Sequence, residues 1–192
     1  MARARGAGDQ RRPAAGGGGR ARARDAGSAT LPRLLVLDVD GVLTDGRLWF
    51  GPDGERLKVF HVRDGHGIKQ LAASGVAIAI VSGRRSAAVA ARARELGIRH
   101  VRQGVADKLQ ALDALCAQLG IDRADCACIG DDTPDVPLMR AVGLAFAVRD
   151  AHPQARAAAD VVTRLPGGRG AVREACDRLL ARTGRGAARG RR

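Results

Sequence analysis

Short, mostly apolar runs alternate with segments of helical periodicity from Leu34 onward, and this alternation constrains the fold more than any other feature of the chain. Strands that are buried on both faces are continuously apolar, whereas half-buried strands alternate apolar and polar residues. A chain in which such strands alternate with helices forms a parallel sheet covered on both faces. We therefore predict a three-layer, Rossmann-like α/β domain. Its strands are predicted at 34–40, 76–82, 98–103, 126–130 and 143–148.

Glycines mark the ends of several predicted helices, because glycine adopts the left-handed conformation at which helices commonly stop. Gly75, Gly97 and Gly120 are three such positions. Between the first two strands, the turn sequence Gly-Pro-Asp-Gly separates two apolar runs, which predicts a β-hairpin flap over 47–60. The helices are predicted at 67–75, 85–96, 106–119, 134–142 and 169–183.

The chain has 192 residues and a formal net charge of +13, which is compatible with nucleic-acid binding. Most of that charge lies in two ends rich in Arg, Ala and Gly, with +5 in residues 1–30, +5 in residues 182–192 and only +3 between them. Neither end has periodic apolar residues, so we predict disordered tails at 1–30 and 182–192 around one domain at 31–181. Only four residues are aromatic, which leaves few stacking platforms for nucleic acid, and a nucleic-acid partner is not expected.

The sequence also bears on where the protein acts. No run of about 18 apolar residues could span a bilayer, so a membrane protein is not expected. The first 30 residues lack the apolar core of a secretory signal. The expected location is the cytoplasm.

Two carboxylates, Asp38 and Asp40, end the first predicted strand. A buried strand has no structural need for both, and side chains at positions i and i+2 point the same way while the chain stays extended. They can therefore approach one substrate atom, where one attacks and the other moves protons. The second strand ends in Ser82, Gly83 and Arg84, which offer a hydroxyl, an unhindered amide and a cation to a phosphate oxygen.

Further charged residues lie at the ends of later elements. Lys108 is near the start of the third helix, where its charge and the helix N-terminus both favour an anion. The fourth strand is followed by Asp131, Asp132 and Asp135. Carboxylates of this kind beside Asp38 repel one another unless a cation neutralises them, and hard oxygen ligands favour Mg²⁺. The sequence therefore predicts a magnesium site that also receives a phosphate.

Four motifs resemble those of the haloacid dehalogenase superfamily of phosphotransferases: DVDGVLTDG, VSGR, the single Lys108 and GDDTPD. A closer resemblance covers about residues 34–181 and includes the runs FHVRDGHGI, VGLAFAV and GGRGAVREACD. These runs are similar to the 3-deoxy-D-manno-octulosonate 8-phosphate phosphatases, the capless sugar phosphatases of lipopolysaccharide synthesis. The resemblance implies a haloacid dehalogenase core without a cap domain and hydrolysis of that sugar acid phosphate.

The resemblance also implies roles for the residues that match these motifs. Asp38 would be the nucleophile that forms an aspartyl-phosphate, and Asp40 would be the general acid for the leaving sugar oxygen and then the base for water. Mg²⁺ would be held by the Asp38 carboxylate, the Asp40 backbone carbonyl and Asp131. Ser82 and Lys108 would bind the phosphoryl oxygens, with the Gly83 amide beside them. Asp135 would orient either Lys108 or the waters of the metal.

The spacing of the motifs leaves no room for a lid domain, so an open site should be closed by a neighbouring chain. The hairpin 47–60 holds three of the four aromatic residues, which is unusual for a flap that meets only water. The resemblance implies a homo-oligomer, a tetramer in this family, with this hairpin at the interface. It also implies that the sugar acid is contacted, partly across the interface, by His61, Val62, Arg63, Asp64, Gly65, Lys69, Arg84 and Arg92.

Two positions depart from the family's pattern. Lys69 stands where Arg is expected, and His61 stands where Asn is expected. A lysine cannot pair with a carboxylate through two parallel bonds as arginine does, so the substrate is less certain than the reaction. Two alternatives follow. One is a phosphatase for the 9-phosphate of sialic acid or deaminated sialic acid, and the other is a non-catalytic module whose Arg-rich tails bind RNA or acidic surfaces.

Overall fold

The structure, a computed structural model, describes residues 31–189, and it describes side chains as far as residue 182. The described chain alternates strands and helices, as the sequence predicts. Its strands are β1 (Leu34–Leu37), β2 (Trp49–Gly51), β3 (Gly54–Leu57), β4 (Ala77–Ser82), β5 (His100–Gln103), β6 (Cys126–Gly130), β7 (Leu144–Ala147) and β8 (Val161–Val162). Its helices are α1 (Val62–Ala73), α2 (Ala87–Leu96), α3 (Lys108–Leu119), α4 (Val136–Ala141), α5 (Pro153–Ala158) and α6 (Ala171–Arg189), with single 3-10 turns at Arg123–Asp125 and Thr133–Asp135.

Six strands form one sheet in the order β5-β4-β1-β6-β7-β8, and every pair of neighbours in it is parallel. β2 and β3 form a separate antiparallel hairpin. The helices fall into two contacting groups, with α1 packed on α2 and α6, and α4 packed on α3 and α5. This arrangement is the one expected when helices cover opposite faces of a sheet, and the predicted three-layer α/β fold is confirmed.

The centre of the sheet is also the centre of the core. All four residues of β1 are buried, and Leu34, Leu35 and Leu37 have no exposed surface. Burying a leucine side chain contributes roughly 1.5–3 kcal/mol, so β1 is held firmly between β4 and β6. The loop that follows β1 therefore begins from a fixed point, which matters because it carries the first two carboxylates.

No cap domain interrupts the described core. Only the hairpin, α1 and β4 separate Asp40 from the end of β4, and only α2 and β5 lie between β4 and α3. The predicted absence of a lid at these two points agrees with the structure. Among the described residues, none of the helices combines the length and apolarity that crossing a membrane requires.

The sequence analysis missed two elements and placed several boundaries inaccurately. α5 and β8 were not predicted, because six and two residues are too short to show a periodic pattern. The last helix was expected to end at 183 but continues to Arg189, so it enters the segment 182–192 that we predicted to be a tail. Four of the six residues from 184 to 189 are Ala or Arg, which favour a helix, and the other two are glycines, which disfavour one. The predicted tail at 1–30 and the last three residues lie outside the described part of the chain, and the domain division stays a prediction.

Candidate active site

The carboxyl ends of three neighbouring strands bring the predicted catalytic residues together. β1 lies between β4 and β6, with Leu37 paired to Ile80 on one side and to Ile129 on the other. Asp38 follows β1 directly, Ser82 ends β4, and Asp131 follows β6. Because the strands are parallel, all three positions lie at the same edge of the sheet, where α/β folds bind their ligands.

Three carboxylates form an acidic cluster at this edge. Ligand oxygens of Asp38, Asp131 and Asp135 all lie within 4.8 Å of one another. Asp38 is 8% exposed and Asp135 is 4% exposed, so little water screens the charges that they carry. Oxygen donors packed this closely match the preference of Mg²⁺, which takes one or two carboxylates and keeps its remaining positions for water and substrate phosphate.

Lys108 and two backbone amides occupy the oxygens of Asp135. Its Oδ1 accepts a hydrogen bond from Lys108 Nζ at 2.6 Å, and its Oδ2 accepts from the amides of Asp131 and Asp132 at 3.0 and 3.2 Å. Gly130 makes room for this carboxylate, since a Cβ there would lie 2.6 Å from the Cβ of Asp135. Both oxygens of Asp135 therefore accept hydrogen bonds within the protein, and this carboxylate holds Lys108 and the loop after β6 in place.

The position of Asp131 depends on a glycine in the loop after β1. A Cβ on Gly41 would lie only 2.0 Å from Asp131 Oδ2, and Gly41 has a φ of +89° that favours glycine. The Asp131 carboxylate thus lies directly against the backbone of the loop that includes Asp40. This contact fits the predicted metal site, in which a backbone carbonyl at position 40 joins the carboxylates of Asp38 and Asp131.

The net effect of burial and the neighbouring charges is to raise the pKa values of Asp38, Asp131 and Lys108. Burial, together with the nearby Asp38 and Asp135 carboxylates, raises the pKa of Asp131 to about 8. Burial and Asp135 also raise the pKa of Asp38 to about 6, against the opposing effect of Lys108. Burial alone disfavours a charged Lys108, but Asp38 at 2.8 Å and Asp135 more than offset it and raise the pKa of this lysine. Lys108 therefore stays positively charged in the site, and the three clustered carboxylates favour the binding of a second cation.

Several contacts hold the loop after β1 in this shape. Thr44 is buried, accepts hydrogen bonds from the amides of Gly41 and Gly46, and donates to the carbonyl of Val39 at 3.3 Å. The glycine-rich segment before α6 packs against the other side, since a Cβ on Gly167 would lie 1.7 Å from the Gly41 carbonyl oxygen. A residue larger than glycine at position 167 would clash with this loop, which accounts for a glycine at this position.

Asp40 lies at the centre of a charged network that the sequence analysis missed. Its Oδ1 accepts a hydrogen bond from Lys58 Nζ, and its Oδ2 lies 4.0 Å from Arg84 Nε. Glu55 joins both cations, at 3.1 Å from Lys58 and 3.3 Å from Arg84. Lys58 and Glu55 belong to the hairpin. The sequence signal that could have identified them is their opposite charge at positions i and i+3, in the segment that leads back towards the core.

The end of β4 supplies the predicted phosphate-binding residues. Ser82 is 2% exposed, and its Oγ accepts a hydrogen bond from the amide of Arg84 at 3.3 Å. A Cβ on Gly83 would only reach ordinary contact with the carbonyl of Val105 at 3.6 Å, so this glycine is not required by packing. Arg84 also lies over the ring of Phe50, with 6.0 Å between its Cζ and the ring centroid.

Of the residues predicted to contact the sugar, Arg84 lies next to Asp40, whereas the others lie just before α1, on α1 or on α2. His61 caps α1 by accepting a hydrogen bond from the amide of Arg63 at 3.2 Å. Arg92 lies beside Gly65, where a Cβ would be 2.3 Å from Nη2. Arg92 also pairs with Glu95 at 2.7 Å. A groove of about 430 Å³ is lined by Phe60, Val62, Ala88, Ala91, Arg92 and Glu95.

Asp64 has a structural partner that the sequence analysis did not predict. It is 1% exposed, and its carboxylate accepts hydrogen bonds from the amides of Gly170 and Arg173 at the start of α6. Lys69 is exposed, and nothing in the structure joins it to the cluster. The sugar contacts of Asp64 and Lys69 stay predictions.

A larger cavity lies away from the acidic cluster. It measures about 700 Å³ and lies mainly along α6 and the segment before it, and Arg63 is the only predicted site residue that lines it. None of the carboxylates of the cluster lines this cavity.

Known proteins are similar to this chain in sequence and in fold. The model of the haloacid dehalogenase-like hydrolase family matches residues 101–170. The 3-deoxy-D-manno-octulosonate 8-phosphate phosphatase of Escherichia coli K12 is 50% identical over 153 residues, which cover 80% of this chain and 81% of that protein. This degree of identity to an enzyme supports a catalytic protein over the interpretation of the chain as a non-catalytic module.

Two solved structures extend the likeness to three dimensions. The 3-deoxy-D-manno-octulosonate 8-phosphate phosphatase of Yersinia pestis aligns with a TM-score of 0.79 at 49% identity, over 81% of this chain and 84% of that one. The Moraxella catarrhalis phosphatase, solved in complex with a magnesium ion, a phosphate ion and KDO, aligns with a TM-score of 0.79 at 44% identity, over 83% of this chain and 92% of that one. The chain therefore belongs to the 3-deoxy-D-manno-octulosonate 8-phosphate phosphatase family of haloacid dehalogenase-like hydrolases and is a phosphoric monoester hydrolase.

Proposed function

We propose that the protein hydrolyses 3-deoxy-D-manno-octulosonate 8-phosphate to the free sugar acid and phosphate, with Mg²⁺ as cofactor and through an aspartyl-phosphate on Asp38. The observation that carries the proposal is the placement of Asp38 between Lys108 and Asp131 at one edge of the sheet. By its family, it would act in the cytoplasm on a precursor of lipopolysaccharide.

In the first step, Asp38 Oδ attacks phosphorus and the bond from phosphorus to the sugar oxygen breaks. Asp40 gives its proton to that oxygen, so the sugar acid leaves as an alcohol. Lys108, at 2.8 Å from Asp38, neutralises charge that spreads over the phosphoryl oxygens, and we assign the amide of Gly83 and the hydroxyl of Ser82 as further donors to them.

In the second step, water attacks the phosphorus of the aspartyl-phosphate. Asp40, now a carboxylate, takes a proton from that water, and the Asp38 oxygen is released with phosphate as the product. Mg²⁺ held by Asp38, the Asp40 carbonyl and Asp131 supplies a charge that offsets the repulsion between the carboxylates and the incoming phosphate. Two such displacements return the enzyme to its starting state.

The preference for the eight-carbon substrate is supported by the relatives. The E. coli and Y. pestis proteins bear the name of that activity, and the M. catarrhalis structure holds KDO. The nine-carbon alternative has no comparable support, and the two substrates differ in chain length at the end that carries the phosphate. Arg84 and Arg92 are the cations that we propose for the sugar acid's carboxylate and hydroxyls.

We further propose that a second copy of the chain covers the hairpin, in a tetramer. Trp49 and Phe50 are 53% and 63% exposed in the single chain, and Leu48, Leu57 and Val59 are also exposed. Apolar groups clustered in this way are typical of interfaces between proteins. The hairpin contacts Asp40 through Lys58, so a copy packed on it would also enclose the site.

The test is phosphate release from purified protein supplied with eight-carbon and nine-carbon sugar acid phosphates. We expect turnover of the eight-carbon substrate that EDTA abolishes and that added Mg²⁺ restores. Asp38→Asn should remove turnover while leaving the fold intact. Equal turnover of both sugars would reject the proposed substrate, and turnover by the Asp38→Asn variant would reject the mechanism.

A further inference from the structure

Lys58 is a buried cation on an exposed hairpin. Its side chain is 1% exposed, although its neighbours Leu57 and Val59 are 47% and 59% exposed. Burying an ammonium group costs free energy unless it is paired, and Lys58 is paired with the carboxylates of Asp40 and Glu55. The hairpin therefore turns one lysine inward and places it against the residue that we propose as the general acid and base.

The hairpin provides the hydrogen bond that holds the Asp40 side chain, through Lys58. Within the described part of the chain, its carboxylate has no backbone amide as a donor, and its contacts are Lys58 on one oxygen and Arg84 at 4.0 Å on the other. By contrast, Lys108 and backbone amides hold Asp135. Without Lys58, the Asp40 side chain, which is 21% exposed, could rotate away from the reacting atoms.

Glu55 links this contact to the rest of the site. Its Oε2 lies 3.1 Å from Lys58 Nζ and 3.3 Å from Arg84 Nη2, so the four side chains form a closed ring of alternating charge. The ring joins the loop after β1, the hairpin and the end of β4. A ring of this kind fixes the carboxylate of Asp40 only while the hairpin is docked.

We propose that Lys58 is a positioning residue that holds the Asp40 carboxylate where it can exchange a proton with the leaving oxygen and with water. This inference rests on the proposed function of Asp40. It makes the hairpin part of the catalytic apparatus as well as the surface for a second copy. Proton transfer by a placed side chain contributes about 10²–10⁴-fold to a rate, and misplacement forfeits part of that gain.

The leaving group separates this role from a purely structural one. An alkoxide needs a proton in order to leave, whereas p-nitrophenolate leaves without one. For Lys58→Met, we expect kcat for the sugar acid phosphate to fall about 10–100-fold, with KM within about threefold. The first turnover of p-nitrophenyl phosphate should stay within about threefold of wild type. A burst of p-nitrophenolate should then precede slow turnover, since hydrolysis of the aspartyl-phosphate still needs Asp40.

Arg56→Met is the matched control, because Arg56 lies on the same hairpin, is 59% exposed and pairs with Asp53 at 3.2 Å. Its kinetics should equal those of the wild type on both substrates. Lys58→Arg keeps the charge and should recover part of the lost kcat. If Lys58→Met does not fold, Lys58→Arg and Glu55→Gln are measured with the same pair of substrates, and each should slow the first turnover of the sugar acid phosphate more than the first turnover of the aryl phosphate.

An equal loss of the first turnover on both substrates would overturn the inference, as would a kcat for the sugar acid phosphate within about twofold of wild type. Asp38→Asn distinguishes this failure from failure of the proposed function. If Asp38→Asn is inactive on both substrates and the Lys58 variants show no selective loss, only the role of Lys58 is rejected. If Asp38→Asn keeps its turnover, the proposed function itself is rejected.

Discussion

Gly41→Ala should weaken metal binding although it leaves all three carboxylates of the cluster in the sequence. The new Cβ would lie 2.0 Å from Asp131 Oδ2, and real Cβ contacts are essentially never shorter than 3.0 Å, so the carboxylate has to move by about 1 Å. Ligand distances in metal sites vary by only about 0.2 Å, and Mg²⁺ demands near-ideal geometry. A displacement five times that tolerance removes Asp131 from the coordination shell. We therefore expect the dissociation constant for Mg²⁺ to rise at least about tenfold.

Gly46→Ala provides a matched control in the same loop. Gly46 has a φ of +76°, close to the +89° of Gly41, but a Cβ there would have no neighbour nearer than 3.6 Å. Both variants pay the cost of a left-handed alanine, about 1–2 kcal/mol in free energy of unfolding. Only Gly41→Ala also displaces Asp131.

Calorimetric titration of metal-free protein with Mg²⁺ measures the affinity, and thermal unfolding measures the shared strain. The melting temperatures of the two variants should fall by similar amounts, while Mg²⁺ affinity falls only in Gly41→Ala. If Gly41→Ala binds Mg²⁺ as tightly as Gly46→Ala does, Asp131 is not a ligand in the position described, and the reasoning from the contact is refuted.

Four further outcomes are expected. Because the pKa values of Asp38 and Asp131 are about 6 and 8 without metal, Mg²⁺ must displace protons from both carboxyls, and its affinity in calorimetry should rise roughly 100-fold from pH 6 to pH 8; an affinity independent of pH would contradict this. Raised carboxyl pKa values stabilise the fold fully only below the unfolded value of 3.8, so the melting temperature of the metal-free protein should fall as pH rises towards 8, and a rise would contradict this. Lys108→Met should lower kcat at least about 100-fold in steady-state assays, and a loss under tenfold would argue against its role. The fluorescence of Trp49, the only tryptophan, should shift to longer wavelength when dilution separates the copies, and a spectrum that stays constant while light scattering shows dissociation would place the interface elsewhere.

The sequence was sufficient to predict the acidic cluster because a parallel sheet gathers the ends of its strands. Asp38, Ser82 and Asp131 each follow a run that is unmistakably apolar, and sheet order alone brings them to one edge. The contact of Lys108 with Asp135 follows from the same rule, since α3 begins at that edge. The roles of these residues in catalysis stay predictions.

Other contacts depend on packing that no local pattern reveals. Asp64 caps a helix that begins more than 100 residues later. Its two hydrogen-bond donors, the amides of Gly170 and Arg173, lie 106 and 109 residues further along the chain. Lys58 meets Asp40 only because the hairpin folds back over the loop after β1. The sequence shows the hairpin, but its docking angle is set by tertiary contacts, so the ring around Asp40 could not be predicted.

Trapping of the phosphoryl group tests the central claim most directly. The enzyme is mixed with its sugar acid phosphate and Mg²⁺, quenched with acid within one turnover, digested and mapped by mass spectrometry. The account predicts one phosphoryl group on the peptide at Asp38, removable with hydroxylamine. With p-nitrophenyl phosphate, whose leaving group needs no proton, the modified peptide should be more abundant in Asp40→Asn, because this variant slows only hydrolysis of the aspartyl-phosphate. Release of phosphate within that turnover with no modified Asp38 peptide, or a phosphoryl group on another side chain, would contradict it.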